Sequence, residues 1–410
     1  MKTANGINLT MLCDYYELTM GNGYWKAGMT DRITYFDVFF RSIPDSGGFA
    51  IAAGLEQIVD YIRNLHFTEE DLAYLRGCGM FDEGFLDYLK NFRFHGDLWA
   101  VPEGTPIFPG EPVITVRAPA IEAQLLETYM LLEFNHQSLI ATKANRICRA
   151  AEGRTVLEFG SRRAQGITGA VTGARAAFIG GGAGTACTVS DQIYGVPAAG
   201  TMAHSWVQMF DSEYEAFEHY CQTYPDHAVQ LVDTFDTLRS GVPNAIRAFN
   251  NILKPLGIKK CGIRLDSGDM AWLTKRAREM LDEAGWTECR ITVSNSLDER
   301  LITSKSEPVF GGVYKLCAVE DKDGHRIPKI KISENIGKIT NPDFKKLYRF
   351  YSLETGKAEA DYICLREETV DDTKPLTICD PIARWKSKVM ENYRVGSFGK
   401  RYFWIQCYFW

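Results

Sequence analysis

Four short apolar runs that each end in charged or hydroxyl residues constrain this chain most. They are Thr155-Val156-Leu157-Glu158-Phe159-Gly160-Ser161-Arg162-Arg163, Ala198-Ala199-Gly200-Thr201-Met202-Ala203-His204-Ser205-Trp206, Val229-Gln230-Leu231-Val232-Asp233-Thr234, and Gly262-Ile263-Arg264-Leu265-Asp266-Ser267-Gly268-Asp269. A buried strand hands polar side chains to the end of a sheet in this way, and parallel α/β proteins place their chemistry there. Strands are predicted at residues 155–159, 184–188, 198–202, 229–232, 261–265 and 290–293. Helical stretches lie between the later ones, such as 270–283, ended by Gly285. Repeated βα units imply parallel strands with right-handed crossovers. Their number suits a barrel or a doubly wound sheet, and periodicity does not choose between the two.

The flanks read differently. Leu12, Tyr16 and Thr19-Met20 recur at helical spacing with Asp14 near the start, predicting an amphipathic helix with a buried aromatic face. Residues 33–40 read as a strand stopped by Pro44 and Gly47-Gly48. Helices are expected at 55–64 and 69–75, the second opened by Thr68-x-x-Asp71, a variant capping box. Residues 94–116, broken by prolines and glycines, read as a small antiparallel β unit. A long helical stretch runs from 121 to about 139, followed by 143–151. After Val313 the alternation stops, with β pieces at 313–319, 331–335, 338–342 and 346–351. At 410 residues two domains are expected. The predicted division is 1–118 and 313–410 as a smaller β-rich α+β domain built from both ends, and 119–312 as the catalytic α/β unit.

Composition excludes several classes. A formal charge of −6 argues against broad nucleic-acid or membrane attraction. No apolar run is long enough to span a bilayer, and residues 1–12 lack a secretion signal. The 11 cysteines are scattered without a Cys-x-x-Cys pair, against a zinc site or a complete disulfide framework. A reduced cytoplasmic protein is expected.

Arg264 and Asp266, two apart in a strand, share a face. They offer a guanidinium fork for a carboxylate or phosphate beside a carboxylate. An internal ion pair, with Ser267 or Asp269 capping the next helix, explains the same spacing equally well. Of Arg162 and Arg163, one is expected to face inward and the other to be solvated or paired with Glu158. His204 follows Thr201 by three residues just past a strand, a position that lines a pocket in this architecture, although lone histidines are commonly structural. Asp233 is a candidate to orient it. The run Gly180-Gly181-Gly182-Ala183-Gly184-Thr185 is a phosphate nest or a flexible turn, and it is not a Walker sequence. No nucleophile elbow or zinc helix occurs. The residues by themselves lead to anion binding with positional catalysis.

Taken in order, several segments resemble the nicotinate phosphoribosyltransferases, among the type II phosphoribosyltransferases. They are Cys13-Asp14-Tyr15-Tyr16-Glu17-Leu18-Thr19-Met20, Glu158 to Gly166, Gly200-Thr201-Met202-Ala203-His204-Ser205, Arg239 to Asn244, Gly262 to Asp269, Ser294 to Asp298, Gly311 to Leu316 and Lys331 to Arg349. The resemblance implies an irregular TIM-like α/β barrel with a smaller β-rich domain, and a homodimer with its active site near the subunit interface. It implies a glycosyl transfer, of the ATP-dependent ligase class, joining nicotinate to 5-phosphoribosyl 1-diphosphate in NAD biosynthesis. ATP is the co-substrate and magnesium is required. His204 matches the family's phosphorylated histidine. Arg264 then holds the nicotinate carboxylate with Thr201, Tyr16 packs on the pyridine ring from the partner subunit, and Arg162 faces the phosphates. Asp266, with Ser267 beside it, serves the magnesium-bound diphosphate or the ribose hydroxyls. A nicotinamide-using relative and a non-catalytic ligand-binding homologue stay open as alternatives.

Two departures accompany the resemblance. After Asp298-Glu299 the family continues with another helix and strand, whereas here Arg300 follows directly, so one strand–helix unit of the barrel is expected to be missing. Beyond about Glu391 the family pattern gives way to an aromatic end, Tyr402 to Trp410.

Overall fold

The structure is a computed structural model and describes residues 8–43, 47–294, 311–330, 340–379, 387–398 and 400–401. The junction at Glu299–Arg300, the expected β piece at 331–335, residues 338–339 of the next one and the aromatic end lie outside the described residues, and residues 340–342 form no strand. The protein is mixed α/β, with helices and several sheets. It divides into two compact units, Met1–Val196 with Ser304–Trp410, and Pro197–Thr303.

The first unit draws on both ends of the chain. Strand Ile33–Phe40 lies between Ile114–Pro119 and Gly312–Glu320 in one six-stranded sheet, antiparallel to each. Asp97–Ala100 pairs with Ile114–Pro119 on one side, and Arg326–Pro328 with Gly312–Glu320 on the other. Val38, Phe40, Val116 and Leu98 are fully buried against helices that contribute Ile58, Leu75, Phe85 and Phe134. Tyr314 joins the C-terminal strand to this core. Its ring stacks on Phe36 at 4.6 Å, and its hydroxyl donates to the Ala123 carbonyl at 3.0 Å. A buried ion pair ties strand Lys345–Ser352, of a separate three-stranded sheet, to the six-stranded one, with Lys345 Nζ 2.8 Å from Asp37 Oδ2 and Thr115 Oγ1 donating to Asp37 Oδ1 at 2.6 Å. Such a pair is sustained only when its remaining lone pairs and protons are matched. Lys345 meets this by also donating to the backbone carbonyls of Asn341, Pro342 and Asp343.

The helix Leu55–Asn64 runs as its pattern predicts. The box at Thr68 and Asp71 caps Glu69–Gly77, the shorter aspartate reaching back to the Thr68 amide at 2.8 Å. The long helical stretch breaks earlier than expected, into Ala120–Gln124 and Glu127–Ala150. Residues 140–142 contain no breaker. Thr142 there bonds back to the Ser138 carbonyl and to the Ile51 amide, so the helix continues. The glycine run closes helix Gly166–Ile179. A Cβ at Gly180 would lie 2.4 Å from the Ala141 carbonyl, so close helix packing requires glycine there. The strands expected at 155–159 and 184–188 shrink to one parallel bridge, Glu158 to Thr185, and Thr188 opens a helix instead.

The N-terminal helix, Tyr15–Lys26, departs from its expected orientation. Tyr15 and Tyr16 are exposed, while Glu17 and Leu18 are buried. Local period alone does not reveal that a carboxylate has partners on the buried side. Glu17 Oε1 accepts from the backbone amides of Asp14 and Thr128 and from the Thr128 hydroxyl, but its Oε2 is buried with no hydrogen bond. Burial pushes its carboxyl up to about 7.

The second unit is built from βα units. Strands Val229–Leu231, Gly262–Leu265 and Arg290–Val293 form a parallel sheet with the middle strand central. Helix Met270–Glu283 connects the last two, capped by Asp269 at 3.0 Å from the Trp272 amide. Phe217, Val242, Phe249, Ile263, Leu265 and Leu281 are fully buried or nearly so. The run 198–202 forms no strand, in keeping with the poor β propensity of its alanines and glycine.

No described helix is long and apolar enough to cross a membrane. The cysteines with described side chains are free thiols.

Glu17 supplies a test by pH. Its folded-state pKa is raised, so the native state holds the proton that the unfolded chain releases, and stability falls as pH rises from about 4.5 to about 7. Glu17→Gln should match the parent protein in melting temperature near pH 4.5 and exceed it increasingly towards pH 7. A difference independent of pH would refute the assignment.

Candidate active site

The parallel ladder of the second unit runs past its last strand residues into the polar cluster. The Val232 amide donates to the Arg264 carbonyl at 3.1 Å, and the Ser294 amide to the Leu265 carbonyl at 2.9 Å. These bonds fix the backbone where Asp233, Asp266 and Ser294 project. Gly241 permits the turn Thr237–Gly241 to rest on the first strand end, since a Cβ there would lie 1.8 Å from the Val232 carbonyl.

Arg264 lies at the centre, its side chain only 11% exposed. Its Nε donates to Ser294 Oγ at 2.9 Å, its Nη1 to Thr201 Oγ1 at 3.3 Å and its Nη2 to Asp266 Oδ1 at 3.3 Å. Ser294 Oγ also donates to Asp266 Oδ1. Arginine and aspartate therefore share the face that period two predicts. The internal ion pair is present, and Asp269 provides the cap.

Asp233 does not meet His204. Its Oδ2 accepts from the Asp266 amide at 2.8 Å and from Ser267 Oγ at 2.6 Å, while its Oδ1 is buried without a hydrogen bond. His204 opens the short helix His204–Gln208 and is held by Thr234, whose Oγ1 lies 3.1 Å from Nδ1. On the other side of the ring, Nε2 is 4.0 Å from Asp266 Oδ2. The orienting partner expected at Asp233 is thus Thr234, one residue on. Asp233 commits its Oδ2 to a backbone amide and a serine, and neither of its oxygens bonds the imidazole.

Thr201, His204, Asp233, Arg264, Asp266 and Ser267 are therefore linked through successive contacts in one cluster, with Thr234 and Ser294 added to it. Both additions are hydroxyls ending apolar runs, a signal visible in the chain at Thr234. Two further candidates belong to the first unit. Arg162 and Arg163 are both exposed on the turn Ser161–Arg163. Glu158, expected beside one of them, instead accepts from the Thr185 hydroxyl and the Gly160 amide. Tyr16 is 43% exposed, with its hydroxyl donating to Glu127 Oε2 at 2.8 Å.

The cluster offers a nucleophilic nitrogen, a guanidinium and two carboxylates in a few contacts. Its hard oxygen donors, including the unpartnered Asp233 Oδ1, suit magnesium, which takes one or two carboxylates and keeps several waters.

Comparison with known proteins identifies relatives of the chain. Residues 11–135 match the model of the nicotinate phosphoribosyltransferase N-terminal domain, and residues 344–404 match that of the C-terminal domain, so the family pattern continues past Glu391, where it is expected to give way. A nicotinate phosphoribosyltransferase of Bacillus subtilis is 41% identical over 408 residues, spanning 94% of this chain and 82% of that protein. One from Mycobacterium tuberculosis is 40% identical, over 84% of this chain and 76% of the relative. The crystal structure of human nicotinic acid phosphoribosyltransferase superposes with a TM-score of 0.79 at 28% identity, covering 95% of this chain and 88% of that one.

The Thr234 contact can be tested directly. Thr234→Val keeps the side-chain shape and removes the hydroxyl that holds Nδ1. Long-range proton–nitrogen NMR should then show an altered tautomer ratio at His204. Imidazole nitrogen shifts identical to the parent's would show that the hydroxyl does not set the ring.

Proposed function

The chain belongs to the nicotinate phosphoribosyltransferase family, and from that membership we propose that it joins nicotinate to 5-phosphoribosyl 1-diphosphate. The products are nicotinate mononucleotide and diphosphate, a step of NAD biosynthesis. The observation that carries the reading is the cluster in which His204, Asp266, Arg264 and Thr201 follow one another through contacts of 4.0, 3.3 and 3.3 Å.

Arg264 binds the nicotinate carboxylate. Its bonds to Thr201 and Asp266, each 3.3 Å, are longer than that to Ser294, and the two terminal nitrogens that make them are the ones a carboxylate engages bidentately. Thr201 adds a hydroxyl donor. The pyridine nitrogen attacks C1 of the sugar as the diphosphate departs. Catalysis rests chiefly on holding the ring nitrogen in line with that bond.

His204 couples ATP to the transfer. An Nδ1–H donating to Thr234 leaves the Nε2 lone pair available. Nε2 then forms a bond to the terminal phosphorus of ATP, and the bond to the ADP oxygen breaks. Asp266 stabilises the imidazole when it carries charge. Asp266 and Asp233 order the magnesium-bound diphosphate through their oxygens, and Ser267 steadies Asp233. Magnesium, when bound, supplies charge neutralisation to the leaving group. Arg162 serves the phosphates.

The reading extends to architecture. We infer an irregular barrel comprising residues 119–312, short of one strand–helix unit, flanked by a domain of residues 1–118 and 313–410. We infer also a homodimer in which Tyr16 offers its ring to the pyridine bound by the partner copy. The exposure of Tyr16 supports that role over a core role.

Purified protein given nicotinate, the sugar diphosphate, ATP and magnesium should form the mononucleotide, with nicotinamide a far poorer substrate. Arg264→Gln should raise the nicotinate KM by roughly 10- to 100-fold, the scale of a lost charge-assisted pair. His204→Ala should abolish phosphate transfer from ATP to protein while circular dichroism stays native. Equal use of both pyridines, or undiminished phosphate incorporation in the His204 variant, would overturn these assignments.

A further inference from the structure

Tyr16 presents an unusual combination. The residue is 43% exposed, yet its hydroxyl is fixed by a network drawn from distant parts of the chain. Glu127 Oε2 accepts from Tyr16 Oη at 2.8 Å and from Gln124 Nε2 at 3.0 Å. Glu127 Oε1 accepts from Lys315 Nζ at 3.3 Å. Lys315 lies in strand Gly312–Glu320 and donates also to the Tyr314 carbonyl at 2.8 Å. The Glu127 side chain is only 13% exposed, and Gln124 is buried.

This anchor is not needed to hold the helix. Glu17, the next residue, already ties helix Tyr15–Lys26 to Thr128 through two bonds. Fixing an exposed aromatic ring costs rotamer freedom and gains little burial in return. What the network secures is the orientation of the ring, whose exposed part offers an apolar aromatic surface. Lys315 balances the Glu127 charge, so the acceptor at the hydroxyl end of the ring does not repel an anionic ligand. A platform set before binding lowers the ordering cost that binding must overcome.

We propose that Glu127, steadied by Gln124 and Lys315, is a positioning residue that sets the ring of Tyr16 through its hydroxyl to receive a planar pyridine carboxylate. The proposal rests on the reading of Tyr16 as the pyridine platform given above.

The test uses the full-length enzyme with nicotinate varied at saturating sugar diphosphate, ATP and magnesium. Tyr16→Phe and Glu127→Ala should each raise the nicotinate KM about fivefold, the scale of one net hydrogen bond, with a much smaller change in kcat. The double variant should be no worse than either single one, because both remove the same bond. Glu127→Gln retains a carbonyl acceptor and should restore most of the affinity. A Tyr16→Phe variant with unchanged KM, beside a Tyr16→Ala variant with raised KM, would overturn the anchor and leave the platform standing. Additive losses in the double variant would likewise overturn it. An unchanged KM in Tyr16→Ala would remove the platform itself. Where Glu127→Ala does not fold, the Tyr16→Phe and Glu127→Gln results decide the matter alone.

Discussion

A guanidinium only 11% exposed at the end of a parallel sheet is the constraint around which the second unit is arranged. A charge so placed must be met by partners, or its desolvation outweighs what the surrounding burial contributes. Arg264 is met from three directions, by Thr201, Ser294 and Asp266. Each partner is then tied in turn. Asp266 is held at its amide by Asp233, and Asp233 is held by Ser267. His204 stands at the edge of this chain of contacts, with Thr234 on one nitrogen and Asp266 near the other. Asp266 thus serves both sides of the cluster, meeting the arginine through Oδ1 and lying 4.0 Å from the His204 ring through Oδ2. A substitution at one of these residues therefore acts on its neighbours, and additivity within the cluster is not expected.

The first unit shows the same economy in its core. Asp37 and Lys345 lie far apart in sequence and are nearly fully buried together. Tyr314 adds apolar area and a hydrogen bond to the same junction. Tyr314 thereby secures the strand Gly312–Glu320 in the six-stranded sheet, and Lys345 ties the separate sheet of Lys345–Ser352 to it. Glu17 is the point of tension, because one of its oxygens is buried without a partner and its proton is held up to about 7. Its neighbour Tyr16 turns outward from the same helix, so one turn presents a structural carboxylate inward and an aromatic ring outward.

Much of the fold was legible in local pattern. The strand at 33–40, the helix at 55–64 and the helix at 270–283 have the bounds that alternation, period and capping predict. The misreadings share a physical cause. Residues 198–202 look like a strand by apolarity, yet they are alanine- and glycine-rich and form none. The N-terminal helix looks amphipathic with aromatics inward, yet its buried side is chosen by Thr128, more than a hundred residues away. The glycine run reads as a nest or a turn, and helix packing against Ala141 accounts for its first glycine.

Sequence by itself determined that polar residues cluster at the ends of apolar runs, that Arg264 and Asp266 share a face, and that the ordered motifs match one family. These follow from the two-residue period of a strand and from the order of residues along the chain. Only the tertiary structure decided that Thr234, and not Asp233, holds His204, that Ser294 joins the arginine, and that Tyr16 faces outward on an anchored hydroxyl. Those contacts join residues 30, 30 and 111 positions apart. Period and propensity act over a few residues, so the choice among several nearby hydroxyls and carboxylates is made by packing alone.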